Sequence, residues 1–95
     1  MIRHPQLTEK ELEEGLHELS GWKIEEEKWL VRKRLFPTFM EAVAFVNQVA
    51  AIAEDMNHHP FISIDFKRVT LRLTTWNSGG LTALDINSAK AYDRL

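Results

Sequence analysis

Two adjacent histidines beside a carboxylate stand near the middle of the chain, in the run Glu54, His58, His59 and Pro60. Glu54 and His58 are four positions apart, so in a helix they share one face at the last turn, while His59 points elsewhere. Histidine is the side chain whose ordinary pKa, about 6.5, lies near neutral pH. This run could therefore supply a general acid and a general base for proton transfer.

Two other interpretations of this run stay open on the residues alone. A histidine at the C-terminus of a helix commonly does no more than satisfy the last carbonyls and the helix dipole. Glu54 and His58, one helical turn apart, could also chelate a metal ion. His4 and His17 have no patterned neighbours and Asp55 faces another side of the helix, so further ligands are lacking and we expect no metal site.

The elements that must position these residues begin with three predicted helices. A threonine followed three positions later by an acidic residue is typical of a capping box, and three such pairs occur: Thr8 with Glu11, Thr38 with Glu41, and Thr82 with Asp85. The first helix should end at Ser20-Gly21. The second should end at about His58, because Pro60 forces His59 out of helical geometry. The third is expected to carry one face made of Leu84, Ser88, Ala91 and Leu95.

Four extended segments, rich in aromatic and β-branched residues or alternating in polarity, are predicted as strands: Trp22 to Glu25, Lys28 to Phe36, Ile62 to Phe66, and Val69 to Thr75. Lys67-Arg68 should form the turn of the second hairpin, and Asn77 to Gly80 a flexible loop. The order α-β-β-α-β-β-α predicts an α+β fold with two layers, in which three helices cover one face of a four-stranded antiparallel sheet. We expect residues 1–95 to form a single domain.

The second predicted helix has an unusually wide apolar arc. Two adjacent stripes make up this arc: Phe39, Val43, Val46, Ala50 and Ala53, and then Ala42, Phe45, Val49, Ile52 and Met56. One sheet face cannot cover so wide an arc, so a further neighbour is expected, either another helix or a second subunit. Ala44 and Ala51 extend the arc on its flank.

Composition excludes several classes of protein. The chain has 95 residues, no cysteine and a net charge of −2, which excludes disulfides and argues against a nucleic-acid-binding protein. Apolar runs stop well short of the roughly 18 residues that a membrane span needs, so we expect no membrane partner. The start, Met1 to Pro5, lacks the apolar core of a signal peptide, and a cytoplasmic location is expected.

The histidine run and the residues after it resemble the spaced pattern of the pterin-4a-carbinolamine dehydratases, over nearly the whole chain. The residues that carry the pattern at the family's spacings are Glu54, His58, His59, Pro60, Phe66, Trp76 and Asp85. Three segments also look like those of the family: Leu73 to Trp76, Gly79 to Leu81 and Asp85 to Asn87. The family's fold, a four-stranded antiparallel sheet with three helices on one face, agrees with the predicted order of elements.

The resemblance implies an enzyme that dehydrates 4a-hydroxytetrahydrobiopterin, or a related 4a-hydroxytetrahydropterin, to the quinonoid dihydropterin and water. It implies no metal and no bound cofactor, and a role in tetrahydropterin regeneration. His58 and His59 would be the acid and the base, in an order that the resemblance leaves open. The residues implied in substrate binding are Glu54, Asn57, Thr74, Thr75, Trp76, Asn77 and Asp85. Because the family forms dimers and tetramers, we expect a homodimer or homotetramer.

At several positions the role of the residue stays open, and so does the function of the chain. Trp76 stands where the best-known members have a third histidine, and an indole cannot shuttle a proton at neutral pH, so Trp76 would bind by stacking or merely pack at a sheet edge. Ile62 replaces a common aromatic, and Asp85 could serve only as a helix cap. The alternative function is a pterin-binding or protein-interaction module with little activity, since mammalian relatives also act as dimerisation partners of a transcription factor.

Overall fold

The computed structural model describes residues 4–95. Its helices and strands are α1 (Glu9–His17), β1 (Trp22–Glu25), β2 (Trp29–Leu35), α2 (Phe39–Met56), β3 (Phe61–Asp65), β4 (Arg68–Leu73) and α3 (Ala83–Asp93). A short 3₁₀ turn, Trp76–Ser78, separates β4 from α3. The predicted order of elements and the α+β class are confirmed. Residues 1–3, which belong to the N-terminal segment predicted to lack a signal peptide, lie outside the described residues.

The four strands form one antiparallel sheet in the order β1-β2-β4-β3. Leu30 of β2 lies opposite Leu73 of β4, and both side chains are fully buried in the core beneath the helices. Phe61 at the start of β3 pairs with Arg72 near the end of β4. The end of β4 therefore lies between the starts of β2 and β3, and the chain that leaves β4 emerges at this edge of the sheet.

Helix α2 buries most of one predicted apolar stripe, and two residues of the other stripe stay exposed together with residues on its flank. The residues that it buries are Ala42, Phe45, Val49 and Ala53. Phe39 and Met40 are 48% and 71% exposed, and Ala44, Ala50 and Ala51 are exposed as well. The sheet alone thus does not cover the arc, as its width predicted.

Two of the three predicted capping boxes have the full geometry. At Thr8 and Thr82 the hydroxyl and the backbone amide of the cap both bond to the acidic residue three positions later. At Thr38 the hydroxyl accepts from the Glu41 amide, but the Glu41 carboxylate bonds to the Thr38 hydroxyl and not to its amide. The prediction of a capping box at Thr38 was therefore correct in its first half only.

Three local predictions need correction. The turn of the second hairpin is at Phe66 and Lys67 and not at Lys67-Arg68, with Phe66 in the left-handed region at φ 56°. The segment from Asn77 to Gly80, predicted as a loop without regular structure, begins within the 3₁₀ turn and is closed by a bridge between Thr75 and Gly80. The face that α3 buries consists of Asp85, Ile86, Ser88, Ala89 and Tyr92, so only Ser88 of the predicted face belongs to it. The difference arises because Asp85, although charged, is buried by its hydrogen bonds to His58, Thr75 and Thr82.

Burial of Tyr92 should make the stability of the fold depend on alkaline pH. Its side chain is 1% exposed, and its hydroxyl lies near Ser88 without a hydrogen bond of good geometry to any described residue. Burial raises the pKa of Tyr92 from 10.0 to about 12. Above pH 10 the unfolded chain loses this proton first, so stability should fall between pH 10 and about 12, by about 3 kcal/mol in total.

Urea unfolding at a series of alkaline pH values measures this loss, and Tyr92→Phe is the control because it keeps the ring and removes the ionisable group. The variant should lose less stability than the wild type across the same interval. If the free energy of unfolding fell equally with pH in the wild type and in Tyr92→Phe, the prediction would be contradicted.

Within residues 4–95, every helix is too short or too polar to cross a membrane.

Candidate functional site

The histidine pair owes its geometry to the residue before it. Asn57 ends α2 in the left-handed conformation, with φ 51° and ψ 40°, and its amide bonds to the carbonyls of Ala53 and Glu54. The His58 amide also bonds back to the Ala53 carbonyl, at 3.2 Å. This is a common way to close a helix C-terminus, and asparagine is one of the few residues other than glycine that adopt it readily. The helix therefore ends at Met56, two residues before the predicted end.

The turn directs His58 into the protein, towards the start of α3. His58 Nε2 lies 2.7 Å from Oδ1 of Asp85, and the two side chains are 10% and 0% exposed. The residues are 27 positions apart in the chain. The structure thus brings together two residues that the sequence pattern placed in the same site without pairing them.

Asp85 is held by two further hydrogen bonds, both to its other carboxylate oxygen. Oδ2 accepts from the backbone amide of Thr82 at 2.9 Å and from the Thr75 hydroxyl at 2.8 Å. The Thr75 and Thr82 hydroxyls are themselves 2.8 Å apart. Asp85 is therefore a helix cap, as one interpretation predicted, and at the same time the hydrogen-bond partner of His58, a pairing that the sequence did not predict. Because Asp85 is fully buried, it can reach a bound molecule only through His58.

His59 leaves the turn in the opposite sense and stays near solvent. Its Nε2 lies 2.5 Å from Oε2 of Glu54, and the two side chains are 55% and 76% exposed. The expectation that Glu54 and His58 share one face at the last turn of the helix is therefore wrong. The left-handed turn at Asn57 takes His58 off the helix and brings His59 back over its last turn.

Both rings use Nε2 for a carboxylate, which leaves Nδ1 for a substrate. With Asp85 as a carboxylate, both of its oxygens can only accept, so His58 Nε2 donates the proton of this hydrogen bond. His58 Nδ1 then has a free lone pair and can accept a proton. Once protonated, the ring can also return that proton, so the same imidazole can act as a base and then as an acid.

Three aromatic rings form a wall beside the histidines, which we call the aromatic wall: Trp29, Phe61 and Trp76. Trp29 is buried and meets Phe61 and Trp76 edge-on, with ring centroids 5.3 and 5.5 Å away. Arg72 covers Trp29 from another side, 4.8 Å from the ring centroid. Trp76 and Phe61 are 64% and 52% exposed, so their faces are available to a flat ligand.

His58, His59 and two rings of the aromatic wall, Phe61 and Trp76, border one open cleft of about 1430 Å³. Seven of the predicted site residues line it: Asn57, His58, His59, Thr74, Thr75, Trp76 and Asn77. Glu54 and Asp85 stand behind His59 and His58 and do not line the cleft. Phe66, part of the sequence pattern, lies in the β3–β4 turn and is 71% exposed.

Six residues that line the cleft were not predicted: His4, Pro5, Gln6, Phe61, Ser78 and Leu84. Phe61 could have been found, because an aromatic directly after the His-His-Pro run must lie near the histidines. The N-terminal residues carry no pattern, and only the tertiary fold brings them to the cleft. The sequence offered no signal for them.

The described residues contain no cluster of three or more histidine, aspartate or glutamate side chains that could hold a metal ion. Glu54 and His58, the two candidates for chelation, bond to His59 and Asp85 respectively.

Comparison with known proteins gives one consistent family. A family model described as "Pterin 4 alpha carbinolamine dehydratase" matches residues 5–95. A "Putative pterin-4-alpha-carbinolamine dehydratase" from Sulfurisphaera tokodaii is 44% identical over 89 residues, which cover 94% of this chain and 95% of the relative.

Two solved structures share the fold. One, described as a transcriptional coactivator/pterin dehydratase from Brucella melitensis, is 34% identical, covers 94% of this chain and 96% of its own, and superposes with a TM-score of 0.89. The other, a pterin dehydratase-like protein identified as a RuBisCO assembly factor in the alpha-carboxysome, is 21% identical, with a TM-score of 0.66. It covers 82% of this chain and 92% of its own, and at that identity the likeness concerns the fold alone.

Proposed function

This chain belongs to the pterin-4a-carbinolamine dehydratase family, and on that premise we propose that it dehydrates 4a-hydroxytetrahydrobiopterin to the quinonoid dihydropterin. In this reaction the 4a hydroxyl leaves with a proton as water, the N5 proton is removed, and a C4a–N5 double bond forms. The protein must therefore supply one acid and one base. The observation that carries the proposal is the pair of carboxylate-bound imidazoles, His58 with Asp85 and His59 with Glu54, at one cleft.

We assign the acid and base roles to His58 and His59, with no metal required. Asp85 and Glu54 are positioning residues that fix the ring tautomers and orient Nδ1 towards the substrate. The flat pterin would lie against Phe61 and Trp76 of the aromatic wall. A role in tetrahydropterin regeneration follows from the substrate. The cytoplasmic location and the assignment of residues 1–95 to one domain stay predictions.

The test is a direct assay on the purified chain. 4a-Hydroxytetrahydrobiopterin is generated in situ and the absorbance of the quinonoid product is followed, with the His58→Ala/His59→Ala double variant as the matched control. The wild type should accelerate product formation and keep its activity after chelator treatment. Loss of activity to a chelator with recovery on added zinc would contradict the acid-base assignment. Tight pterin binding without acceleration would favour the pterin-binding module instead.

Trp76 should contribute to binding more than to proton transfer. Trp76→Phe keeps an aromatic ring against Trp29, so the variant should retain more activity than His58→Ala or His59→Ala. Trp76→Ala removes the ring and should raise KM, by about 2- to 12-fold, with a smaller change in kcat. Steady-state kinetics of the four variants measures these effects. Equal loss of kcat in all four would contradict a binding role for Trp76.

We also propose that the chain assembles into a homodimer or homotetramer through the uncovered side of α2 and the edge strand β3. Ile62 and Ile64 of β3 are each 37% exposed, and an apolar edge strand is a site where sheets join. Sedimentation at micromolar concentration should therefore give a mass above the 11.1 kDa of one chain.

Ala44→Glu or Ala51→Glu should weaken this assembly, because burying an unpaired charge at a contact costs several kcal/mol. Lys10→Glu, on the exposed part of α1, is the control and should leave the mass unchanged. A wild type that sediments only as a monomer would refute the assembly. An oligomer of unchanged mass in both Ala44→Glu and Ala51→Glu would refute the contact through α2.

A further inference from the structure

The segment His4 to Leu7, which we call the N-terminal strap, is fastened across the turn that follows β4. The side-chain Nε2 of Gln6 donates to the backbone carbonyl of Ser78 at 2.6 Å, and the Ser78 hydroxyl donates to the His4 carbonyl. The Leu7 amide donates to the Leu81 carbonyl at 2.9 Å. Three hydrogen bonds therefore fix the strap along its length, and the turn to which it is bound is the one that carries Trp76.

The strap is stiff and lies close to the turn. Pro5 restricts the backbone of His4 to extended conformations and has no amide hydrogen that needs a partner. A Cβ atom added at Gly79 or Gly80 would lie 3.3 or 3.2 Å from the Gln6 side chain. The two glycines thus allow the strap to approach the turn, and Gly79 also adopts the left-handed conformation at φ 74°.

His4 is the residue that the strap brings to the site. It is half-buried and lines the same cleft as His58, His59 and Trp76. Its carbonyl is held by Ser78, so its position depends on the same turn as the aromatic wall. We propose that the His4 imidazole is a third histidine of the site and binds the substrate directly, a role that rests on the proposed function.

The chemistry of the ligand fits such a contact. The edge of a pterin ring carries a carbonyl, ring nitrogens and an amino group, which offer both donors and acceptors. A neutral imidazole has one donor and one acceptor, so His4 can bond to either kind of group. The acid and the base are already provided by the carboxylate-bound pair, so His4 acts in binding and its loss should appear in KM.

The first measurement is the kinetics of His4→Ala in a chain without an N-terminal tag. The variant should raise KM by about 2- to 12-fold, the value of one hydrogen bond, and change kcat by less than a factor of about two. His17→Ala is the matched control, because His17 is an exposed histidine in the last turn of α1 and does not line the cleft. It should leave both constants unchanged. Ser78→Ala removes the hydroxyl that holds the His4 carbonyl, so this variant should raise KM as well.

The second measurement does not depend on a variant that must turn over substrate. The proton NMR spectrum of the wild type contains imidazole resonances of four histidines, assigned by substitution. Addition of biopterin, a stable probe, should move the His4 resonance and leave that of His17 in place. A strap that served only the fold would show no such shift.

The outcomes separate this inference from the proposed function. Wild-type turnover with an unchanged KM in His4→Ala and no His4 shift would overturn the inference and leave the dehydratase intact. A His4 shift with biopterin in a protein without turnover would support the binding role and refute the dehydratase. Absence of both turnover and biopterin binding would overturn both.

Discussion

Replacing His58 with alanine is expected to lower kcat for dehydration by about 10²- to 10⁴-fold, the usual cost of removing a positioned acid or base. His58 is the better anchored of the two histidines, since its partner Asp85 is fully buried and bonded to Thr75 and Thr82 as well. His59→Ala is expected to lower kcat too. His59 is 55% exposed, so water can replace part of its function and we expect the smaller loss.

The kinetic comparison of His58→Ala and His59→Ala with the wild type must separate turnover from pterin binding. A residue that only holds the pterin would mainly raise KM, whereas loss of an acid or base lowers kcat with little change in pterin affinity. Glu54→Gln keeps a hydrogen-bonding side chain beside His59, so its kcat should fall less than that of His58→Ala or His59→Ala. If both alanine variants retain full kcat, the two histidines only close the helix and the acid-base assignment falls.

Asp85→Asn should have an effect of the same size through a reversal of the His58 tautomer. The Thr82 amide can only donate, so the oxygen of the new side chain must stay on the side of Thr82 and Thr75. The amide NH₂ group then faces His58 Nε2, which must become the acceptor and shift its proton to Nδ1. The nitrogen left for the substrate loses its lone pair, and we expect kcat to fall by about 10²- to 10⁴-fold.

Two variants test whether this loss comes from the tautomer or from the fold. Thr75→Val removes one donor to Asp85 without reversing the ring, so it should cost much less kcat than Asp85→Asn. Asp65→Asn makes the same chemical change at an exposed carboxylate and should have no effect. Nitrogen NMR of the His58 ring reports the tautomer. Urea unfolding of Asp85→Asn should show a free energy of unfolding about 1 to 3 kcal/mol below that of the wild type. A reversed tautomer with unchanged kcat would refute the mechanism.

Local signals in the sequence predicted the elements well. Thr8 and Thr82 mark their helices by capping boxes, and Pro60 limits the end of α2 to within a few residues. The alternation of Ile62 and Ile64 with polar neighbours predicted β3, although the strand buries neither face within one chain. These signals depend on neighbours in the chain, which is why the sequence alone carries them.

The pairing within the site depends on contacts that the sequence does not encode locally. Whether Glu54 meets His58 or His59 is decided by one backbone conformation, and asparagine at position 57 is compatible with either a longer helix or a left-handed end. The bond from His58 to Asp85 needs α2 and α3 to pack first. His4 reaches the cleft through a hydrogen bond to Ser78, 74 positions away.

The left-handed residue at the end of α2 also limits which sequences can support this site. At φ 51° glycine is tolerated at low cost and aspartate or asparagine at moderate cost, whereas a β-branched residue would be strongly strained. Isoleucine or valine at position 57 would favour another backbone angle and rotate both imidazoles away from their carboxylates without touching either histidine. A mutational library of this protein should therefore show narrow tolerance at position 57, and a relative with a β-branched residue there could keep both histidines and still lack a working site.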